Sequence, residues 1–246
     1  MKILNLYAGI GGNRKLWKDV EVTAIELNPN IAKIYQDFFP EDKVIVTDAH
    51  QYLLEHHKEF DFIWSSPPCQ SHSSFRRNIC VRYRGTKPVY PDMTLYEEIL
   101  FLQHHAECKW VVENVKPYYE PLIPAKLLQR HLFWSNFNIT DLEVEGEKIR
   151  TAQIPQLQKL HGINLDKYKL PNKRQILRSC VHYKLGLHIL NQINDLINIG
   201  GKTMKKQDIS QCPHCYCMTK DIQQGYQHKI CGKCQKDKNT KPVKHY

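Results

Sequence analysis

A cysteine and a glutamate, each following an apolar run, are the residues of this sequence best suited to chemistry. Cys69 lies in the segment 67–70, after the run 60–65, and Glu113 follows the run 109–112. Both runs are typical of buried strands, and in an open α/β sheet the carboxyl ends of neighbouring strands line one ligand crevice. The two side chains are therefore predicted to share a pocket as a nucleophile and a proton donor. That pairing suits chemistry on an electron-poor ring.

The elements that would position this pair alternate in type along the first half of the chain. Apolar runs at 3–6, 21–27 and 44–46 predict three further strands. Regular alternation of strands and helices predicts an α/β fold with a doubly wound, mostly parallel sheet. Helices are predicted through 16–17, across 31–35, near 52–54 and across 95–102.

The second half is less regular. We predict a helix at 124–129, a weaker strand at 131–137, and a final helix across 185–197 that ends at the glycine pair 200–201. That pair separates a predicted catalytic domain, 1–200, from a tail, 201–246. The segment between the weaker strand and the final helix predicts loops and one short helix over 141–174.

Charge is distributed unevenly along the 246 residues. The net charge is +10, and the segment 202–246 contains ten Lys and three Asp, so it supplies +7 and the rest of the chain +3. A cationic tail on a nearly neutral body predicts contact with a polyanion; a merely solvated lysine-rich terminus is the alternative. No apolar run approaches the roughly 18 residues of a membrane span. Without an evident signal segment, we expect a cytoplasmic protein that contacts no membrane, with a monomer favoured.

Four of the nine cysteines have the spacing of a zinc site. They form two C-x2-C pairs separated by fifteen residues, a pattern typical of tetrahedral structural zinc. A tail with so little apolar content would need such a metal to fold. A redox-active dithiol is the alternative. The predicted zinc ligands are Cys212, Cys215, Cys231 and Cys234.

Three strand ends in the first half suggest an adenosine-bearing ligand. The turn Gly9-x-Gly11-Gly12 follows the first strand and lets a ligand approach the backbone closely, but it lacks the spacing of a pyrophosphate cradle. Glu26 ends the second strand, where a carboxylate can accept hydrogen bonds from both ribose hydroxyls. Asp48 ends the third, where it or the neighbouring backbone can bind an adenine amino group. S-adenosylmethionine fits this set.

Taken together, these motifs resemble those of the DNA (cytosine-5) methyltransferase family, over roughly residues 2–198. The segment 67–70 resembles the family's nucleophile loop, and Glu113-Asn114-Val115 its Glu-Asn-Val motif. The glycine-rich turn resembles the first cofactor motif, with Glu26 as the ribose-binding acid and Asp48 as the adenine-side acid. The resemblance implies a cofactor pocket formed by Tyr7, Ala8, Gly9, Ile10, Gly11, Gly12, Glu26, Leu27, Asp48, Ala49, Pro67, Ser179 and Val181.

The resemblance also implies a covalent reaction on DNA. The Cys69 thiolate would add to cytosine C6, which activates C5 toward the methyl group, while Glu113 offsets the ring's negative charge at N3. Asn114 would brace the cysteine loop, and Gln70 and Arg130 complete the predicted catalytic set. A base stacked in a duplex is out of reach, so it would be flipped out.

Other parts of the sequence depart from the family pattern. The usual Gln and two alternate Arg are reduced to Gln129-Arg130-His131, and Ser179 stands where Asn is expected. The segment 141–175 is short for a target-recognition domain. Two alternatives therefore stay open: cytosine-5 methylation of RNA such as transfer RNA, and a catalytically weak nucleic-acid-binding protein. The predicted DNA contacts after the nucleophile are Ser74, Arg76 and Arg77.

Overall fold

A seven-stranded mixed sheet carries the fold. The computed structural model describes residues 1–142 and 151–200, with side chains through 196, and the backbone of two short tail strands. Two compact units divide the chain, Met1–Asn194 and Asp195–Tyr246. The strands of the large sheet are β1 (Lys2–Leu6), β2 (Glu21–Ile25), β3 (Lys43–Ile45), β4 (Phe62–Ser65), β5 (Lys109–Val115), β6 (Lys126–Leu128) and β7 (His131–Ser135).

The strand order creates a crevice at one edge of the sheet. The order is β3-β2-β1-β4-β5-β7-β6; the first five strands are parallel, and β7 and β6 are antiparallel to their neighbours. Chain connections run outward in opposite directions from β1 and β4. Ligands of open α/β sheets bind at such a switch point, beyond the carboxyl ends of the strands. The predicted doubly wound, mostly parallel sheet is confirmed.

Helices cover both faces of the sheet. The last helix packs Leu185, Ile189, Leu190 and Ile193 against one face, at the spacing of an amphipathic helix. The helices that precede β4 and β5 pack against the other face. The helices are α1 (Pro29–Phe38), α2 (Ala49–His56), α3 (Arg82–Arg84), α4 (Thr94–His105), α5 (Ile154–His161), α6 (Lys173–Ser179) and α7 (Tyr183–Gly200).

The predicted helix at 124–129 is wrong. The chain there forms β6, which pairs with β7 through a turn of only two residues, Gln129 and Arg130. Leu127 is exposed and Leu128 is buried, as in a strand with one covered face. Gln129 has a φ of 56°, the left-handed geometry that tight hairpins require.

One other prediction needs correction. The helix expected through 16–17 is only a 3-10 turn, Asn13–Leu16, after the glycine-rich segment. The short helix expected within 141–174 is present as α5, and α6 begins at the end of that region. Both helices form because they bury apolar side chains, among them Leu157 and Leu177, against Ile10 and Ile34. The rest of the fold matches the predicted order of elements.

Two short antiparallel strands, β8 (Ser210–Gln211) and β9 (Met218–Thr219), are described in the second unit. In the parts of the chain with described coordinates, no helix has the length and apolarity needed to cross a membrane.

Candidate active site

The loops after β4 and β5 are tied together directly behind Cys69. The Asn114 side-chain amide donates a hydrogen bond of 3.0 Å to the Pro67 carbonyl. Further along, the Tyr118 backbone N–H donates to the His72 carbonyl at 3.1 Å. The predicted contact between Asn114 and the nucleophile loop is therefore present, and it fixes the backbone two residues before the thiol.

Cys69 and Glu113 line one cavity of about 1320 Å³, together with Gln70 and Arg130. The Cys69 side chain is partly buried. Burial raises its pKa to about 11, the charge of Glu113 adds to that rise, and the Arg130 guanidinium opposes it. The resting group is thus a thiol, because a thiolate here lacks water and faces a carboxylate. The sequence prediction that these two side chains share a pocket is met by the geometry.

Arg130 reaches the cavity from the β6–β7 turn. Its guanidinium donates to the Arg178 carbonyl at 3.2 Å, which links the turn to the end of α6. Burial lowers the pKa of Arg130, while the charge of Glu113 opposes that effect. The guanidinium stays charged, since arginine loses its proton only at extreme pH.

His131 is a buried residue of this site that the sequence analysis did not select. Its Nδ1 atom is hydrogen-bonded to Oε1 of Glu113. Both side chains are almost fully buried, and both residues line the cavity. The signal for His131 in the sequence is weak, a histidine next to Arg130 in an altered motif, because the contact with Glu113 depends on the register between β5 and β7.

The Glu26 carboxylate lies at the carboxyl end of β2 and accepts hydrogen bonds from two backbone segments. Its Oε2 accepts from the Gly9 N–H at 3.0 Å and its Oε1 from the Asn28 N–H at 2.9 Å. Glu26 lines the same cavity as Cys69. A carboxylate held in this way at the second strand end suits the predicted ribose contact.

The glycine-rich turn brings the backbone close to the cavity. Gly9 has a φ of 56°, and a Cβ there would meet no atom within 4 Å, so open space lies beside it. At Gly12 a Cβ would lie 2.7 Å from the Val181 carbonyl oxygen. Glycine at that position therefore lets the segment after α6 approach the turn. Ser179 and Val181 both line the cavity.

The other predicted cofactor residues divide into two groups. Tyr7, Ala8, Ile10 and Pro67 line the cavity with the residues above. Of the rest, Gly11 packs against Phe39 and Asp48 caps α2 by accepting from the Gln51 N–H at 2.8 Å. Four predicted cofactor residues are thus absent from the described cavity wall: Gly11, Leu27, Asp48 and Ala49.

A second buried carboxylate, Glu98 of α4, is hydrogen-bonded to residues at the ends of β1 and β4. Glu98 has no exposed surface and accepts hydrogen bonds from the Tyr7 hydroxyl at 2.5 Å and the Ser65 hydroxyl at 2.6 Å. His50 Nδ1 lies 3.3 Å from its Oε1. Burial and the charge of Glu98 raise the pKa of Tyr7 well above its usual value. The hydrogen bond to Glu98 raises the pKa of His50.

Two of the predicted nucleic-acid contacts, Ser74 and Arg76, line the cavity beyond Cys69. Arg77 instead stacks over the Tyr118 ring, 5.7 Å from its centroid. A π-helical turn, Arg76–Val81, follows the nucleophile and leads into α3. The cavity rim is therefore cationic on the side of the nucleophile loop.

The predicted zinc ligands Cys212, Cys215, Cys231 and Cys234 lie outside the described residues, so the zinc centre stays a prediction. Within 1–142 and 151–196, no group of three or more His, Cys, Asp or Glu side chains could hold a metal ion.

The sheet order and the cavity at its switch point define a Rossmann-like methyltransferase fold. The Entamoeba histolytica methyltransferase EhMeth shares it, with a TM-score of 0.50 and 11% identity over 80% of this chain and 98% of that one. At that identity the likeness concerns the fold alone.

Sequence comparison then finds a similarity to a known family over residues 1–119, just under half of the chain. Residues 1–119 match the profile described as C-5 cytosine-specific DNA methylase. These residues carry a C-5 cytosine methyltransferase domain, and the family implies S-adenosylmethionine as methyl donor. The match includes Cys69 and Glu113 but ends before Arg130 and His131.

Two relatives from Spodoptera frugiperda show further similarity. Its tRNA (cytosine(38)-C(5))-methyltransferase is 36% identical over 84 residues, 31% of this chain and 24% of that protein. The match thus spans about a quarter of the curated relative. A crystal structure of a DNMT2 variant is 27% identical over 49% of this chain and 37% of that one, with a TM-score of 0.34.

Proposed function

We propose that this protein transfers a methyl group from S-adenosylmethionine to C5 of cytosine in DNA, through a covalent bond between Cys69 and C6. The observation that carries the proposal is the single cavity in which Cys69, Glu113 and Arg130 face the strand ends that hold Glu26 and the glycine-rich turn. A nucleophile, an acid, a cation and a cofactor cradle are thereby within one reaction space.

The residues present fit S-adenosylmethionine. Gly9 borders open space, and the Glu26 carboxylate at the second strand end is placed to meet ribose hydroxyls. Tyr7, Ile10 and Val181 add apolar wall. When bound, this cofactor supplies an electrophilic methyl group on a sulfonium. The role of the chain is to hold that group over C5 and to keep bulk water away.

Cys69 and Glu113 would carry the chemistry on the base. The Cys69 thiol gives its proton to solvent water and its sulfur forms a bond to C6, and the electron pair displaced from the C5–C6 double bond makes C5 nucleophilic. Glu113 donates a proton to N3, which neutralises the charge that addition builds on the ring. After methylation solvent water removes the C5 proton, the electron pair re-forms the C5–C6 double bond as the Sγ–C6 bond breaks, N3 returns its proton to Glu113, and the Cys69 thiolate is released. Arg130 stabilises the thiolate, since its charge lowers the pKa of Cys69.

A target cytosine would enter from the cationic side of the rim. Arg76, Arg178 and Lys116 line the cavity around the nucleophile loop, and guanidinium and ammonium groups bind phosphates. The lysine-rich tail adds sequence-independent attraction. In duplex DNA the base would have to leave the stack to meet Cys69.

RNA is the second candidate substrate. The observation that favours it is the Spodoptera frugiperda relative, whose name assigns it to a transfer-RNA cytosine. The chemistry at the base is the same in both cases, so the described cavity serves either substrate.

The deciding experiment uses labelled S-adenosylmethionine with duplex DNA, single-stranded DNA or transfer RNA, and Cys69→Ala as the paired variant. Label in DNA that requires Cys69 supports the main proposal, and label in RNA alone supports the second candidate. Binding of nucleic acid without transfer would mean that the fold serves binding rather than catalysis. Oligonucleotides with 5-fluorocytosine add a direct readout, because the missing C5 proton traps the adduct on Cys69.

The tail is proposed to hold one structural zinc through Cys212, Cys215, Cys231 and Cys234 and to contribute to nucleic-acid binding. Elemental analysis of the full chain should give one zinc per molecule, and Cys231→Ser should lose it. Full retention of zinc in that variant would contradict the ligand set.

A further inference from the structure

The pair formed by His131 and Glu113 is set by strand register. β5 and β7 are antiparallel, with Val115 opposite His131 and Glu113 opposite Phe133. Directly opposed residues share a face, and alternate residues of one strand do too, so Glu113 and His131 are diagonal neighbours on the same face. Their hydrogen bond follows from this placement, and it is the cross-strand contact that brings His131 to the acid.

The contact makes the two oxygens of the Glu113 carboxyl group unequal. Oε1 is bonded to His131 Nδ1. None of the hydrogen bonds found among the described residues uses Oε2, although Glu113 is 5% exposed and lines the cavity. Oε2 is therefore the oxygen available to a base. A carboxyl acid that must donate to a ring nitrogen needs this asymmetry, because its proton has to be on the oxygen that faces the ring.

We propose that His131 is the positioning residue of the acid: its Nδ1–H holds Oε1, so that the proton which the Glu113 carboxylate takes up for catalysis is carried by Oε2 toward cytosine N3. This inference rests on the proposed function. As the Oε2 proton moves to N3, the same Nδ1–H stabilises the carboxylate that forms, and the proton returns to Oε2 when the Sγ–C6 bond breaks.

The charged side chains around the Glu113–His131 pair favour His131 as a hydrogen-bond donor to Glu113 rather than as a second proton donor to the base. Four charged or ionisable side chains from different elements line the cavity around the pair: Cys69 after β4, Lys116 after β5, Arg130 before β7 and Arg178 in the last turn of α6. The two guanidiniums and the ammonium already supply cationic charge. What they do not supply is a rigid donor at Oε1, and a buried imidazole fixed by the sheet does so.

Three substitutions separate this role from simple packing. In His131→Asn the amide nitrogen replaces Nδ1 at the same distance from the backbone, whereas in His131→Gln it lies one bond farther out. His131→Leu removes the donor. We expect kcat to fall about 100-fold in the Leu and Gln variants and less than about tenfold in the Asn variant, since general acid catalysis contributes about 10²–10⁴. KM for both substrates should change less than about threefold.

A double variant tests whether His131 acts through the acid. In a Glu113→Gln background, His131→Leu should cause no further loss of kcat, because the group it positions is gone. The matched control is His56→Asn, since His56 also pairs with a carboxylate, Glu59 at 2.7 Å, but outside the cavity. That control should leave kcat unchanged.

The outcomes separate a failure of the His131 positioning role from a failure of the proposed function. Equal kcat losses in folded Asn and Gln variants, additive losses with Glu113→Gln, or no loss in any His131 variant would overturn the positioning role. In those cases Cys69-dependent transfer by the unaltered protein persists and the proposed function stands. No Cys69-dependent transfer by the unaltered protein would overturn both. Near-ultraviolet circular dichroism of each variant identifies any that fail to fold.

Discussion

Two buried glutamates of this sheet differ in how completely their carboxyl groups are satisfied. Glu98 is fully buried, lies off the described cavity wall, and meets Tyr7, Ser65 and His50. Glu113 is 5% exposed, lines the cavity and is bonded to His131 alone among the described residues. A buried polar group without its full set of partners costs stability, so folds retain one mainly where a ligand completes the set. The Glu98 carboxyl group thus has a structural role, and the Glu113 carboxyl group keeps the open position that the proposed acid requires.

The comparison extends to the segments that each carboxylate joins. Glu98 connects the glycine-rich turn, the end of β4 and the start of α2, all on the cofactor side. Glu113 connects β5 with β7 on the base side. The contacts of Glu98 are therefore complete without a ligand, whereas Glu113 keeps one carboxyl oxygen open on the side of the cavity where we propose that the base binds.

The largest expected effect is on activity at Glu113. Glu113→Gln removes the proton that N3 needs while keeping the shape of the side chain, so transfer should fall about 1000-fold. Its melting temperature should change little, because only one protein partner is disturbed. Single-turnover transfer of labelled methyl measures the rate. A variant with more than a tenth of the normal rate would remove Glu113 from the role of acid.

Glu98→Leu tests the structural role of Glu98 through the stability of the protein. It removes the shared acceptor of the buried Ser65 hydroxyl, the partly buried Tyr7 hydroxyl and the partly buried His50 imidazole, so the free energy of unfolding should fall by about 3 kcal/mol. Glu113→Leu, the matched variant with one partner stranded, should lose clearly less. Urea unfolding followed by circular dichroism gives both values. Equal losses would mean that the number of partners does not distinguish the two acids.

Two histidines contribute to stability with opposite dependence on pH. Burial lowers the pKa of His161 from 6.5 to about 4, and His182 contributes to this. The unfolded chain binds this proton first, so stability is full above pH 6.5 and falls by up to about 3 kcal/mol as pH drops toward 4. His50 has the opposite sign: Glu98 raises its pKa, so its contribution is present below pH 6.5 and is lost as pH rises through its folded pKa.

Chemical unfolding at pH 4.5 and 7.5 measures the contributions of His161 and His50 to the free energy of unfolding. His161→Gln should lose less stability on acidification than the unaltered protein, and His50→Gln should lose more. A steeper acid dependence in His161→Gln would show that burial is not what governs that side chain.

The smallest expected effect is on the reactivity of Cys69. Its pKa of about 11 includes a rise from the charge of Glu113 and a decrease from Arg130. Glu113→Gln should therefore speed alkylation by iodoacetamide at pH 8.5 about threefold, and Arg130→Gln should slow it. Cys108 is the internal control, because burial also raises its pKa to about 11 but its charged neighbour is Asp61. Site-resolved mass spectrometry separates the two thiols.

Sequence reasoning located the parts of the site that depend on local pattern. Cys69 and Glu113 each lie at the end of an apolar run, and parallel strands bring such ends to one edge of the sheet. A contact of Asn114 with the cysteine loop was also predicted, and the structure places it at the Pro67 carbonyl. These inferences need only the identity of a strand and the direction of its neighbours.

Contacts that depend on long-range pairing were not predictable in this way. β6 was mistaken for a helix because three residues carry too little periodicity, and its conformation comes from pairing with β7. His131 was passed over for the same reason, since its partner is fixed by register rather than by spacing in the chain. Glu98 reads as one charged position of α4, and its partner Tyr7 is 91 residues away.

The reversed direction of β7 gives the site an unusual sensitivity to chain length. The parallel strands bring residues to the crevice where they finish, but β7 contributes His131 where it starts, immediately after a two-residue reversal. One inserted or deleted amino acid in that reversal would turn the imidazole to the opposite side of the sheet, because alternate positions face opposite ways. The length of this two-residue connection is therefore as much a requirement of the Glu113–His131 contact as the imidazole itself.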